Sequence, residues 1–337
     1  MTTKKLLLLS TTLFVMTSAF CQTRFKEVKE NTMEGTKVGI IRADNNLPII
    51  SAQYDKILPE SDGMFAVIQN QKLGYVDTMG KTIVPLKYLD GTSYNEKRAM
   101  VFDGKKWGMI NEKGTPVTAF VYDDVVGLSE GVARVVVAQK IGFVNRSGKL
   151  IVPCKYAEAY DCTFGLIVAY ADYREIWGDV VYKQKKIGQY GNTRRIPIIY
   201  NSEGQVIFKG EPDEDIKFTP TGKIIVNRTT TASGFNSISR SKLLDNTGKV
   251  IIPYEQNVYL EILDYAMKVT VTDGIKGVGI MDHDGIVLVK PNFSQIDWFT
   301  ETEHGALAKV YFKNSNDFFY VDTDGKCIEY QGIKCPQ

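Results

Sequence analysis

The chain has 337 residues; 44% are hydrophobic, 24% charged and 11% aromatic, and the formal charge is +2. Those values are ordinary for a globular protein and exclude a disordered tail protein or a collagen-like fibre. No basic block stands out beyond Lys183 to Lys186 and Arg194-Arg195, which read as solvated faces, so nucleic acid is excluded as a partner.

Residues 1–21 read as a secretory signal peptide. Lys4 and Lys5 make a positive start, and an apolar stretch runs from Leu6 to Phe20. The stretch is too short to span a bilayer. Ala19 and Cys21 are small, which suits cleavage after Cys21. Lipid anchoring at Cys21 is less favoured, because Phe20 stands where a small residue belongs. Removing Lys4 and Lys5 leaves 39 basic against 39 acidic side chains. No later stretch is apolar enough to cross a membrane. The expected destination is the periplasm or the cell surface and medium. Residues 22–36 read as an N-terminal linker.

A repeat fills residues 37–156. Residues 74–88 read GYVDTMGKTIVPLKY, 108–122 read GMINEKGTPVTAFVY and 142–156 read GFVNRSGKLIVPCKY. The turn glycines Gly80, Gly114 and Gly148 stand 34 residues apart. An earlier copy, at 39–54, puts Asn46 where the glycine belongs, and Asn tolerates a positive φ best after Gly. Each unit opens on a short β-favouring run. A turn follows, led by Asp77, Asn111 or Asn145, whose side chain accepts from the backbone two residues on. Gly closes it in the left-handed region. A second run ends near Pro85 or Pro153, where a strand edge is expected. Tyr54, Tyr88, Tyr122 and Tyr156 come three residues after that position and read as packing between units. A third run, such as EGVARVVV at 130–137, alternates as a half-buried strand does. Each unit is therefore expected to hold three or four short antiparallel strands.

Residues 157–200 break the period. The span from Tyr156 to Tyr200 carries seven of the 18 tyrosines, together with Phe164 and Trp177. Insertions in repeat proteins map to one face, often the binding face. Tyr170, Tyr173, Trp177 and Tyr182 are the candidate binding residues, because such rings give rigid, amphipathic contact area. The competing reading buries these rings against the array. Residues 201–337 read as degenerate repeats. Their turns are led by Asn201, Asp245, Asp282 and Asp322, and closed by Gly204, Gly248, Gly285 and Gly325 at spacings of 56, 44, 37 and 40.

Chemistry-bearing residues are few. Cys154, Cys162, Cys327 and Cys335 form two pairs eight residues apart. In an oxidising compartment the disulfides Cys154–Cys162 and Cys327–Cys335 are expected, although four cysteines allow three connectivities. No CxxC exists and His283 and His304 are the only histidines, so neither a metal nor a cofactor is expected. His283 sits at a variable turn position and reads as exposed. The acidic run Glu211 to Asp215 fits no calcium loop and reads as a solvated turn. No nucleophile motif accompanies His304.

The KKWGMINEKG stretch, with Trp107 before Gly108, resembles the WG-repeat family of bacteria. Glu130-Gly131-Val132-Ala133-Arg134-Val135 resembles the Glu-Gly-x-Ala-x-Val part of that pattern. Leu73, Val38 and Ile141 replace the tryptophan in other copies, so the position reads as buried and structural. The resemblance implies an exported or surface-associated β-repeat protein, and no reaction. The fold class expected is all-β, with about seven to eight antiparallel repeats of 34–56 residues in a propeller-like ring or an open β-solenoid. The function expected is a non-catalytic protein-interaction module of the bacterial envelope. A carbohydrate-binding module is the alternative, and an enzyme of unknown class stands last.

Overall fold

The computed structural model describes residues 24–33, 35–182, 185–231, 237–271 and 277–336, without the side chains of 173, 175–192 and 230–238. The signal reading of 1–21 lies outside the described residues. Among them the fold is all-β, apart from one 3-10 turn at Tyr254–Gln256. Two compact units divide the chain, 1–86 and 87–337.

The first unit holds two antiparallel sheets. Strands Phe25–Thr32, Gly35–Arg42 and Pro48–Tyr54 form one; Lys56–Ile57, Met64–Gln69, Lys72–Asp77 and Thr82–Tyr88 form the other. Val38, Ile40 and Ile50 of one meet Phe65, Val67 and Val76 of the other. The linker expected at 22–36 is corrected here, because Phe25–Thr32 pairs along its whole length with Gly35–Arg42. Its sequence, FKEVKENT, hides the strand: it is charged, nearly all exposed, and held by backbone bonds rather than by burial.

Among the described residues the second unit holds six sheets. Asp90–Gly91, Arg98–Phe102 and Trp107–Asn111 make the third sheet of the chain. Its last strand is reduced to two bridges, Trp107 to Tyr122 and Ile110 to Pro116. The fourth is Asp124–Val125, Val132–Val137, Lys140–Asn145 and Leu150–Tyr156. The fifth is Glu158–Ala159, Leu166–Tyr182, Lys185–Asn201 and Val206–Lys209. The sixth spans Asp215 to Ile252, the seventh Val258 to Phe293 and the eighth Gln295 to Ile328. Each is a meander whose strands follow sequence order, apart from the short Thr300–Thr302 strand, which pairs Gly305–Tyr311 off the eighth sheet's main path.

Alternation along the inner strands feeds two cores at once. In the fourth sheet Val132, Phe143 and Val152 pack with Ala159, Ile167 and Tyr200 of the fifth. Ala133, Val135 and Val144 point the other way, against Met100, Met109 and Leu128. The inner strands are thus covered on both faces, and burying a ring such as Phe143 contributes roughly 1.5–3 kcal/mol. Tyr54, Tyr88, Tyr122 and Tyr156 are all buried. Leu73 and Val38 are buried where Trp107 and Ile141 are half-buried.

Two glycines per unit have distinct physical reasons. The glycine after the tryptophan position sits at a β-bulge. At Gly142 an added Cβ would lie 2.6 Å from Cys154 Sγ and 2.7 Å from Val152 O. The ladder slips there, between Ile141 and Phe143. The turn glycine is doubly constrained. Gly204 has φ +82, and a Cβ on it would lie 2.4 Å from Ile151 O of the preceding sheet. The turn leader does the hydrogen bonding. Asn145 Oδ1 accepts from Ser147 N–H (3.1 Å) and Lys149 N–H (3.0 Å). Asp77, Asn111, Asn201, Asp245, Asp282 and Asp322 repeat that pair of bonds. Thr219 forms a similar turn closed by Gly222, its Oγ1 accepting from Lys223 N–H at 3.0 Å.

Pro85 and Pro153 do not end their strands, which continue to Tyr88 and Tyr156. Both lie on the outermost strand at outward positions, where a missing donor is tolerated. Pro253 does end its strand.

Candidate functional site

The break in the period is a β-ribbon. Strands Leu166–Tyr182 and Lys185–Asn201 pair from Leu166–Asn201 out to Tyr182–Lys185. Flanking strands reach only its base. Glu158–Ala159 pairs with Ala169 and Tyr170, and Val206–Lys209 pairs with Ile198 to Tyr200. Arg195 O and Pro197 O accept from Asp213 N–H (2.9 Å) and Gly210 N–H (2.8 Å), so among the described residues 171–182 and 185–194 pair with no further strand.

The four candidate rings fall differently. Tyr170 sits at the base of the ribbon, buried, in the core shared with Ile224, Val226 and Leu244. It is a packing residue with one wet edge. Tyr173 and Tyr182 lie on the outer ribbon by their backbone register, Trp177 falls at the register shift between Ile176 and Gly178, and the side chains of all three lie outside the described residues. Tyr156 and Tyr200 are buried partners whose hydroxyls bond each other. Burial, then the Tyr156 hydroxyl, pushes the Tyr200 pKa up to about 12.

A cleft of about 300 Å³ opens beside Tyr170, lined by Glu158, Tyr160, Arg195, Asp213, Glu214 and Asp215. Arg195 bridges Glu158, and its guanidinium lies 5.4 Å from the Tyr170 ring centre. Tyr160 meets Tyr170 edge-on at 6.0 Å and donates to Glu158 Oε1 at 2.9 Å. Burial first, then the Asp215 charge, pushes Tyr170 up to about 12, so it stays a neutral phenol. The polar groups are largely paired with one another. The cleft presents a charged, aromatic rim at the foot of the ribbon.

Glu214 corrects the reading of 211–215 as a solvated turn. Its residue is 2% exposed. Oε1 accepts from Arg228 Nη2 (2.8 Å) and the Tyr254 hydroxyl (2.7 Å), and Oε2 accepts from Glu211 N–H (2.9 Å). A buried carboxylate needs such pairing. Burial, then this carboxylate, raises the Tyr254 pKa. Nothing local in GEPDEDIKF marks Glu214 out, because its partners lie 14 and 40 residues away. His283 is also corrected: it is buried, with Nε2 3.1 Å from Leu263 O.

The cysteine pairing comes out unevenly. Cys327 and Cys335 are joined in a disulfide. Cys154 and Cys162 are free thiols, which corrects the expected Cys154–Cys162 bond. They serve opposite faces of the fourth sheet. Cys154 packs with Met109 and Tyr122, whereas Cys162 lies with Phe143 and Ile167. Burial, then Glu130, pushes the Cys162 thiol up to about 12.

The Glu-Gly-x-Ala stretch is a staple between sheets. Glu96 Oε1 accepts from Gly131 N–H at 2.9 Å. Glu130 Oε2 accepts in turn from Gly165 N–H at 2.5 Å. At the next equivalent place stands Phe164, whose ring meets Phe218 of the sixth sheet at 6.1 Å. The left-handed backbone of Glu96, Glu130 and Phe164 aims each side chain at the next sheet.

The repeats of 39–72, 74–107, 107–140 and 141–166 each match the model of the WG containing repeat. Residues 39–166 thus match that repeat in four consecutive segments. Gly39 and Gly142, at the Trp-Gly position of their copies, are bulge glycines, and Glu130-Gly131 is the staple described above. The remainder keeps the same turn chemistry at Asp245, Asp282 and Asp322. No curated protein matches the chain. Among solved structures it is similar to a eukaryotic initiation factor, at 12% identity and a TM-score of 0.39, over 90% of this chain and 83% of that one. It is also similar to the β-propeller domain of the trilobed protease from Pyrococcus furiosus, at 13% identity and a TM-score of 0.27, over 92% and 93%. Among the described residues no helix is long and apolar enough to cross a membrane, and no group of three His, Cys, Asp or Glu side chains is placed to hold a metal.

Proposed function

We propose that this is an exported, non-catalytic interaction module of the bacterial envelope, and that it holds a protein partner through the 166–201 ribbon. One observation carries the reading: residues 171–182 and 185–194 form a two-stranded ribbon with no further strand on either side among the described residues. An isolated two-stranded ribbon is marginal in water. Its open edges offer unpaired backbone groups to an added strand, a common mode of peptide recognition. Tyr173, Trp177 and Tyr182 fall within its span, and residues of this type supply rigid aromatic contact area in binding loops. Export to the periplasm or cell surface is supported by the charged and apolar start of the chain and by the Cys327–Cys335 disulfide.

The test is cross-linking in intact cells, followed by pull-down and mass spectrometry. The comparison variant replaces 172–195 by Asn-Gly. Asp172 pairs with Arg195, so this cut closes the hairpin from Ala171 to Ile196 without changing register. The expected result is a saturable partner that disappears with the ribbon. The same partners captured by both forms would refute the reading.

A further inference from the structure

The eighth sheet carries a second cleft, of about 370 Å³, lined by Asp297, Trp298, Glu301, Tyr320, Tyr330 and Gln331, with Thr300, Thr302 and Lys309 beside them. That volume lies at the lower end of the roughly 300–1,000 Å³ of small-molecule sites. Trp298 is 56% exposed. An indole of that size is a large apolar face to leave in water.

The opposite wall is built with care. Gln331 (φ +53) and Gly332 (φ +79) form a tight turn closed by Ile333 N–H donating to Tyr330 O at 3.0 Å. The Cys327–Cys335 disulfide ties both ends of the segment that carries this turn. Tyr330 is held edge-on by Tyr320 at 5.1 Å and by His304 at 5.6 Å. The Tyr320 hydroxyl donates to Gln331 Oε1 at 3.2 Å. Glu301 accepts the Tyr265 hydroxyl on Oε1, which leaves Oε2 for a ligand.

Charge selects the ligand class. An aromatic pocket with carboxylates suits a cation. Here the lining already holds a cation, Lys309, whose Nζ lies 6.0 Å from the Tyr320 ring centre and 4.8 Å from that of the neighbouring Phe318. Asp297 is engaged too, Oδ1 by Gln295 Nε2 (2.7 Å) and Oδ2 by the Tyr311 hydroxyl (2.9 Å). With those two charges counterposed, the cleft offers one aromatic platform within a rim of hydroxyls, an amide, a carboxylate oxygen and the Lys309 ammonium. A pyranose is the matching shape, with an apolar C–H face and a rim of hydroxyls. We propose that the Trp298–Gln331 cleft is a subsite for a neutral hexopyranose, free or within a glycan.

The inference deepens the binding-module reading but uses a different sheet, so the two fail separately. The probe is an array of neutral oligosaccharides ending in glucose, mannose or galactose, applied to the purified protein. Any binder is then titrated in solution. The proposal expects at least one sugar class to bind, a loss of affinity of at least tenfold in Trp298→Ala, and a similar direction of change in Gln331→Ala. Both positions are exposed, so melting temperatures should match the parent. The variant lacking 172–195 should bind the sugar unchanged. Array silence, or parent-like affinity in both variants, would overturn the proposal. So would tetramethylammonium displacing the sugar, which would make the cleft a cation site.

Discussion

Gly142 gives the sharpest test of how the repeat is built. Its φ lies outside the left-handed region, so Ala is acceptable to the backbone, and the whole cost of Gly142→Ala is steric. The new Cβ would lie 2.6 Å from Cys154 Sγ, 2.7 Å from Cys154 N and 2.7 Å from Val152 O. Two of those three atoms are backbone, so relief requires the next strand to move. Overpacking of this kind costs about 1–3 kcal/mol, and the upper end applies where backbone must shift. Gly165→Ala is the control. Gly165 has φ +71 and nothing within 4 Å of an added Cβ, so only the conformational cost of about 1–2 kcal/mol remains. Gly204→Ala combines both, with φ +82 and Ile151 O at 2.4 Å. Its expected cost is about 3–5 kcal/mol, the two effects taken together. Urea unfolding gives the three values, and at roughly 2–4 °C per kcal/mol thermal melts order them independently. Removing the sulfur in Gly142→Ala/Cys154→Ala should recover only part of the loss, because Val152 O stays. A Gly142→Ala variant no less stable than Gly165→Ala would refute the close-approach account of the Trp-Gly glycine.

Three further outcomes follow from the same contacts. Glu214→Gln leaves Arg228 without its ion-pair partner near a buried site and should cost about 2–4 kcal/mol, read by urea unfolding, whereas Asp213→Asn on the exposed rim should fall within about 0.5 kcal/mol. The thiols of Cys154 and Cys162 are both raised by burial, so at pH 8 neither should react with a disulfide reagent until urea unfolds the chain; rapid labelling of the native protein would contradict this. Asp55, Asp123, Asp245 and Asp284 are held below the usual aspartate range, chiefly by Lys37, Lys106, Thr247 and Lys223. Their folded pKa values are depressed, so their stabilisation is complete above the unfolded value of about 3.9 and is lost as pH falls through the folded values. Melting temperature should hold from pH 7 to 5 and drop below about pH 4; a flat profile down to pH 2 would count against these pairings.

The repeat was legible because its chemistry is local. Asp or Asn, two intervening residues and Gly place donor, acceptor and left-handed residue within one turn, and that pattern survives in a single sequence. Where the chemistry changed, legibility went with it. The turn at Gly222 is led by Thr219 rather than Asp or Asn and does not stand out. The third sheet's last strand dissolves at Pro116 to Tyr122, where the Phe120 ring packs over Gly108 within 3.0 Å of an added Cβ. Equal cysteine spacing suggested two equal disulfides. Spacing says nothing about which core a side chain enters, and Cys154 and Cys162 enter different ones. The broken period marked the insertion but left binding and burial open for Tyr170; its burial depends on the sixth sheet. Glu214 and the Trp298 cleft were invisible for the same reason: their walls come from distant segments, and each residue taken singly looks like an ordinary surface residue.

The central claim is that the ribbon, and not the array, meets the partner. Photo-cross-linking tests it directly. A photoreactive residue replaces Asp179 or Gln189, which face each other on the outer ribbon, and in a control replaces Lys249 in a turn of the sixth sheet. Illumination of intact cells should give a discrete adduct from the two ribbon positions and none from Lys249. Adducts from Lys249 alone, or none from the ribbon, would contradict the account.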